Sequence, residues 1–144
     1  MGYKILVVDD EASIRDLLKG FLEGQGHTVV PASNGKEALL LAEKESPHLI
    51  VLDVKMPELD GIKTCVALRA NEKTRAIPII LATAFRDVLA EALEAGVDDF
   101  VTKPFHLAEL LLRVQALLRV RHLEDELERA AAYICELRKD LPEG

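Results

Sequence analysis

The sequence predicts an α/β protein built on a doubly wound, five-stranded parallel sheet with helices on both faces. Three observations carry that expectation. Short apolar runs alternate along the chain with segments of helical spacing, strand then helix, five times over. One run, Leu49-Ile50-Val51-Leu52, is apolar throughout, as a strand covered on both faces must be. Polar residues capable of chemistry follow the strands at their carboxyl ends, where open α/β sheets hold their ligands.

The elements follow in order. Lys4 to Val8 is an apolar strand that ends in two acids, Asp9 and Asp10. Ala12 to Glu23 places Ile14, Leu17, Leu18, Phe21 and Leu22 at helical spacing, with Gly24 and Gly26 as the stop. His27 to Ala32 reads as a second strand. Ser33 and Asn34 offer capping oxygens to a helix from Gly35 to Lys44, whose apolar positions are Ala38, Leu39, Leu41 and Ala42. Pro47 separates it from the third strand, which delivers Asp53 to a surface. Periodicity alone also fits that run to a buried helix segment, but Pro57 and the Asp60-Gly61 pair turn the chain directly afterwards. A third helix runs to Ala70 with Ile62, Cys65, Val66 and Leu68 inward, and Asn71 to Arg75 form a loop. Ile77 to Ala82 is the fourth strand, with Thr83-Ala84 at its carboxyl end. A helix from Asp87 to Ala95, stopped by Gly96, leads to the strand Asp99 to Thr102 and then to Lys103-Pro104-Phe105.

From His106 the helical pattern continues without interruption, but its character changes. Leu107, Leu110, Leu111, Val114, Leu117 and Leu118 make a stripe broad enough to cover a sheet face. From Val120 the apolar positions narrow to Val120, Leu123, Leu127, Ala130, Ile134, Leu137 and Leu141, spaced 3-4-3-4-3-4 with charged flanks. One solvated helix cannot satisfy such a seam, so it predicts a parallel homodimer through the C-terminal helices. Arg119, Arg121 and His122 mark the change of register. The chain therefore divides into a globular domain over 1–118 and a helical coiled-coil linker or dimerisation segment over 119–144. The end at Pro142-Glu143-Gly144, straight after a helix, suggests a fragment whose effector domain is absent.

Bulk properties narrow the function. The 144 residues suffice for one domain with a real core. Apolar residues make up 49% and charged residues 30%, a globular balance. A net charge of −7 argues against direct nucleic-acid binding and against anionic membrane. Cys65 and Cys135 form neither a metal spacing nor a disulfide framework. The N-terminal apolar run is cut short by Asp9, which excludes a signal peptide, and Leu6 replaces the hydroxyl residue that the myristoylation pattern needs. No apolar run approaches the roughly eighteen residues of a membrane span. The expected setting is cytoplasmic and reduced.

Asp9, Asp10, Asp53, Thr83 and Lys103 all fall at carboxyl ends of expected strands and converge on one sheet edge. Two carboxylates about 4 Å apart repel by roughly 4 kcal/mol at an effective dielectric near 20. Three share a site cheaply only when a cation joins them, and all-oxygen ligands suit Mg2+. A nearby lysine and hydroxyl supply donors for a phosphoryl group, and a carboxylate that attacks phosphorus forms an acyl phosphate.

On these residues the chain resembles the receiver domain of two-component response regulators, from residue 3 to about 118. The resemblance rests on Ile5-Leu6-Val7-Val8-Asp9-Asp10-Glu11, on Leu52-Asp53-Val54-Lys55-Met56-Pro57-Glu58-Leu59-Asp60-Gly61, on Thr83-Ala84, and on Ala95-Gly96 followed by Phe100 and Lys103-Pro104-Phe105. It implies a flavodoxin-like sheet of order 2-1-3-4-5. It implies that Asp53 accepts a phosphoryl group from the phosphohistidine of a sensor histidine kinase or phosphotransfer protein. Mg2+ would be bound by Asp10, Asp53 and the backbone carbonyl of Lys55, with Asp9 acting through water. Thr83 and Lys103 would hold phosphoryl oxygens, and the Lys103-Pro104 bond would be cis. Thr83 and Phe100 would form the switch, altering the face of the fourth helix, fifth strand and fifth helix. Lys55 and Phe85 resemble positions that set the phosphoryl lifetime. The family is a signalling module and is not expected to be an enzyme proper.

Plainer readings stand beside these. Asp53 could merely cap a helix, Asp9 could cap the first helix, Lys103 could be a surface charge, and Phe100 could be a core aromatic that never switches. Glu58 and Asp60 read as turn residues and Glu11 as the edge of the metal site. Cys65 reads as core, and His27, His48, His106 and His122 show no ligand spacing. Two other functions compete: a pseudo-receiver scaffold that is never phosphorylated, and a metal-dependent phosphatase, against which Lys55 counts because that class needs an acid two residues past its nucleophile.

Overall fold

The computed structural model of the protein describes residues 2–56, 59–84, 86–123 and 125–140. Five strands, β1 (Lys4–Val8), β2 (Thr28–Ala32), β3 (Leu49–Asp53), β4 (Ile79–Thr83) and β5 (Asp99–Thr102), form one parallel sheet in the order β2-β1-β3-β4-β5. Every residue of β3 and β4 is buried, as uniformly apolar strands require. The one strand with a proline inside it, β2, lies at the sheet's edge, where Pro31 deprives no outer neighbour of a donor.

The described residues form six helices, five of which connect or cover the strands while the last packs on the fifth: α1 (Ala12–Gly24), α2 (Gly35–Glu45), α3 (Gly61–Ala70), α4 (Leu89–Ala95, entered through a 3-10 turn at Arg86–Val88), α5 (Leu107–Val120) and α6 (Glu126–Asp140). One core packs Leu6, Val8, Ile50, Leu52 and Leu81 against α2, α3 and α4. The other packs Ile5, Val7, Val51 and Ile80 against Leu18 and Leu22 of α1 and Leu110, Val114 and Leu117 of α5. Alternate strand residues point to opposite faces, so each strand serves both cores.

Local chemistry starts and stops the helices. Asn34 Oδ1 accepts from the Glu37 amide at 2.8 Å while Glu37 Oε1 accepts from the Ser33 amide at 3.2 Å, two otherwise unpaired donors satisfied reciprocally. Asp60 caps α3 through the Lys63 amide at 2.8 Å. Gly96 ends α4 at φ +98°, a left-handed position that favours glycine.

Two strand starts differ from expectation. β4 begins at Ile79 because Pro78 has no N–H; its carbonyl instead accepts from Ile50 at 2.9 Å. β2 begins at Thr28 because His27 turns its ring inward, Nδ1 accepting from the Tyr3 amide at 3.2 Å.

The larger difference lies at the C-terminus, where a continuous helix was expected from His106. α5 ends at Val120 and a new helix starts at Glu126. Asp125 provides its cap, with Oδ1 accepting from the Glu128 amide at 2.9 Å and its carbonyl from Arg129 at 2.8 Å. The second helix turns back onto the domain, so that Tyr133 packs against the α5-side core. Of the heptad seam, Leu127 (81% exposed) and Ile134 (54%) face outward. Leu141 and the terminal Pro142-Glu143-Gly144 lie outside the described residues, as do Pro57 and Glu58 of the expected turn. No described helix is long and apolar enough to cross a membrane.

Candidate functional site

The carboxyl ends of β1, β3, β4 and β5 bring the five singled-out residues to one edge of the sheet. Asp9 and Asp10 follow β1 directly, and Asp53 is the last residue of β3. One carboxylate oxygen of each lies within 4.8 Å of the others, the only such acid cluster among the described residues. Asp9 is buried at 2% exposure and Asp53 at 6%, while Asp10 is exposed. Asp9 is held on both oxygens: Oδ1 accepts from the Glu11 amide at 3.0 Å and Oδ2 from Lys103 Nζ at 2.7 Å. Its backbone carbonyl takes a 2.7 Å bond from Arg15 of α1.

Lys103 follows β5 and reaches back over the sheet end, with Nζ 3.2 Å from Asp53 Oδ1. Its backbone amide donates to the Thr83 carbonyl at 2.8 Å, which ties the last turns of β4 and β5 together, and the Lys103-Pro104 bond is cis. Thr83, at the end of β4, is 1% exposed. Phe100, on β5 and three residues before Lys103, is half-buried against the α2-α3-α4 core. A cleft of about 480 Å³ opens over these groups, lined by Asp10, Glu11, Asp53, Lys55, Met56, Ala84 and Lys103.

The electrostatics follow from the crowding. Burial first, and then the Asp9 charge, push the Asp53 carboxyl up to about 6; Lys103 opposes them, and Asp10 adds to the rise. For Lys103, burial works against the charge, but the bond to Asp9 and the charges of Asp53 and Asp9 outweigh it and raise its pKa. Asp9, Asp10, Glu11 and Asp53 outnumber Lys55 and Lys103 here, which leaves the cleft with unbalanced negative charge, and the clustered carboxylates offer hard oxygen donors only. That set fits a small divalent cation such as Mg2+.

The plain cap reading of Asp53 has no support here, since α3 is capped by Asp60. Instead, α3 crowds Asp53 from behind: a Cβ on Gly61 would sit 2.1 Å from the Asp53 carbonyl oxygen. Neither that packing nor the grip of Arg15 on Asp9 leaves a local signature in the sequence. Met56 and Ala84 line the cleft beside Lys55, inside the quoted motifs but without an assigned task. Phe85 lies outside the described residues. Cys65 is buried in the α2-α3-α4 core as expected, where burial raises its thiol pKa to about 11.

Comparison with known proteins adds the family. The profile described as "Response regulator receiver domain" matches residues 5–115. The chain is 47% identical over 148 aligned positions to the alkaline phosphatase synthesis transcriptional regulatory protein PhoP of Bacillus subtilis, covering 100% of this chain and 57% of that protein. It is 52% identical over 118 positions to the probable transcriptional regulator ycf27 of Pyropia yezoensis, covering 81% of this chain and 47% of that one. The chain thus spans about half the length of these curated relatives. Among solved structures, the signal receiver domain of a histidine kinase from Syntrophus aciditrophicus superposes with a TM-score of 0.80 at 35% identity, over 87% of this chain and 96% of that one. The receiver domain of a sensor histidine kinase from Pseudomonas aeruginosa superposes with a TM-score of 0.77 at 31% identity, over 83% and 99%. That structure is described as holding a magnesium ion in its active-site cleft. With the β2-β1-β3-β4-β5 sheet and the acid cluster at its edge, the chain belongs to the response regulator receiver domain family.

Proposed function

We propose that the chain is a phosphorylation-switched receiver in which Asp53 is the phosphoacceptor. The observation that carries this reading is the Asp9-Asp10-Asp53 cluster with Lys103 bridging two of its members. An Asp53 oxygen attacks phosphorus, a P–O bond forms to the carboxylate, and the P–N bond of a donor phosphohistidine breaks; its imidazole leaves and takes up a proton. Water later attacks the acyl phosphate and releases inorganic phosphate. Lys103 stands where it can pair with a phosphoryl oxygen, and the Thr83 hydroxyl would take another. Mg2+ would be held by Asp10, Asp53 and the Lys55 carbonyl, with Asp9 reached through water, and when bound it supplies charge neutralisation for the incoming phosphoryl group.

The partners follow from that chemistry. The donor is a sensor histidine kinase or a phosphotransfer protein. Movement at Thr83 and Phe100 would be read on the face of α4, β5 and α5, and the segment from residue 119 would pair two copies along the heptad seam and lead to an effector. The relatives are described as transcriptional regulators, so transcription is a candidate output of the longer protein, although a chain of net charge −7 is a poor direct ligand for DNA. The module acts as a signalling switch, and its own phosphorylation and hydrolysis are its only chemistry. A pseudo-receiver is disfavoured because the three acids and Lys103 are all in place. A phosphatase is disfavoured because Lys55 stands where that chemistry needs an acid.

Transfer from a labelled phosphohistidine protein tests this reading. Label should move to the parent in Mg2+, and neither to Asp53→Asn nor to the parent in EDTA. Equal labelling of Asp53→Asn would overturn it.

A further inference from the structure

The C-terminal segment is fastened to its own domain, while its sequence carries a heptad seam that this arrangement leaves partly exposed. In the folded-back form, α6 is fastened at several points. The Tyr133 hydroxyl donates to Asp99 Oδ2, a carboxylate that also pairs with Arg113 Nη1 of α5 at 2.5 Å. Arg119 of α5 pairs with Asp140 at 2.7 Å and Glu136 at 3.3 Å. Arg129 donates to the Ala76 carbonyl at 2.9 Å, and the Arg121 guanidinium lies 4.9 Å from the centre of the Tyr3 ring. These contacts use one face of the helix, the face of Arg129, Tyr133, Glu136 and Asp140. The other face presents Leu127 at 81% and Ile134 at 54% exposure.

Residues 121 to 125 read Arg-His-Leu-Glu-Asp, and neither proline nor glycine occurs from Leu107 to Leu141. Among the described residues, the Asp125 cap and the contacts of α6 hold the folded-back form. If the helix straightens, Val120, Leu127 and Ile134 fall on a positions and Leu123, Ala130 and Leu137 on d positions. Two of the three a positions are β-branched and two of the three d positions are leucine, the choice that favours two strands in parallel coiled coils. In that register Arg119, at g, faces Glu124, at e of the other strand, with opposite charge. The two forms exclude each other: the bent one spends Arg119 on Glu136 and Asp140 and buries Val120 to 3% exposure.

We propose that residues 121–140 are a two-position arm, either clasped to its own domain through Tyr133 on Asp99 or straightened and paired along the heptad seam with a second copy of this chain. The inference deepens the pairing proposed above and rests on it. The clasp sits on β5, the same strand that leads to Lys103, so both ends of that strand carry function.

Sedimentation equilibrium and hydrogen exchange on the parent, Tyr133→Phe and Leu127→Asp test the arm. Tyr133→Phe keeps the packed ring and loses only the hydroxyl. At concentrations where the parent is monomeric, its amides over 126–140 should lose protection, and its dimer dissociation constant should tighten at least tenfold. Leu127→Asp, on the exposed face, should leave the clasped monomer protected and weaken dimerisation of both parent and Tyr133→Phe at least tenfold. Unchanged protection in Tyr133→Phe would overturn the clasp, and lost protection without tighter dimerisation would overturn the exclusion of one form by the other. Dimerisation indifferent to Leu127→Asp would overturn the seam pairing itself, whatever Tyr133 does.

Discussion

Lys103 Nζ lies 2.7 Å from Asp9 Oδ2, although the two residues are 94 positions apart and follow strands separated by two others in the sheet. The lysine has to span the ends of β3 and β4 to make this bond, and on the way it comes within 3.2 Å of Asp53. A single cation thus holds together acids that would otherwise repel.

Removing that cation should therefore cost stability when no metal is present. Lys103→Met takes the ammonium away from Asp9 and Asp53, and we expect the metal-free protein to lose about 1–3 kcal/mol at pH 7.5, since a partly buried charge is left without its partner. Urea unfolding with and without Mg2+ checks this; the gap between variant and parent should narrow in Mg2+.

Asp53→Asn should act in the opposite direction. The Asp53 carboxyl is raised from 3.8 to about 6, so between those values the folded chain binds the proton more tightly than the unfolded one. Stability of the metal-free protein from this group falls as pH rises through that window and stays low above it. Asparagine removes the buried charge, and the gain at pH 7.5 should not exceed about 3 kcal/mol, the equivalent of that shift, less whatever the bond to Lys103 contributes. At pH 4 the gain should shrink. A urea midpoint at pH 7.5 no higher than the parent's would contradict this.

Two histidines impose the reverse slope slightly higher on the pH scale. His48 Nδ1 accepts from the Lys4 amide at 3.0 Å and His27 Nδ1 from the Tyr3 amide at 3.2 Å. Burial first, then nearby positive charge, lowers both pKa values below 6.5. A depressed histidine leaves stability intact above 6.5 and erodes it as pH falls, because protonation turns the acceptor into a donor facing a donor. His48→Gln should flatten part of the stability loss between pH 6.5 and 5, as read from thermal midpoints at matched pH.

The fit of α3 behind the site makes Gly61 the most demanding small residue there. A methyl group would meet the Asp53 carbonyl oxygen at 2.1 Å, so Gly61→Ala must displace α3 or the end of β3. We expect a loss of about 1–3 kcal/mol, in the range for overpacking. Phosphorylation of the variant should slow as well, because Asp53 moves with its backbone. Unfolding and phosphoramidate labelling, measured on the same preparation, separate the two effects.

Much of this was legible in the residues. Buried parallel strands must be apolar through their length, so Leu49–Leu52 announced itself, and the polar residues at the carboxyl ends of four of the five strands pointed to the site edge. The boundaries of β2 and β4 were less so, because a donor missing at Pro78 or an inward ring at His27 decides them. The short α4 starts through a 3-10 turn for which the sequence offered no cap. The C-terminal bend was the hardest, since a heptad pattern specifies an apolar face and not what covers it. Asp125 looked like a charged flank until it capped a helix, and Tyr133 falls outside the seam altogether. Arg15 and Gly61 matter through tertiary contacts with Asp9 and Asp53, which no local pattern encodes.

The most direct test of the account is the intact mass of the chain after incubation with Mg2+ and acetyl phosphate, for the parent and for Asp53→Asn. The account predicts one added phosphoryl group on the parent, none in EDTA, and none on the variant. A folded, Mg2+-binding parent that gains no mass, or a variant that gains as much as the parent, would contradict Asp53 as the phosphoacceptor.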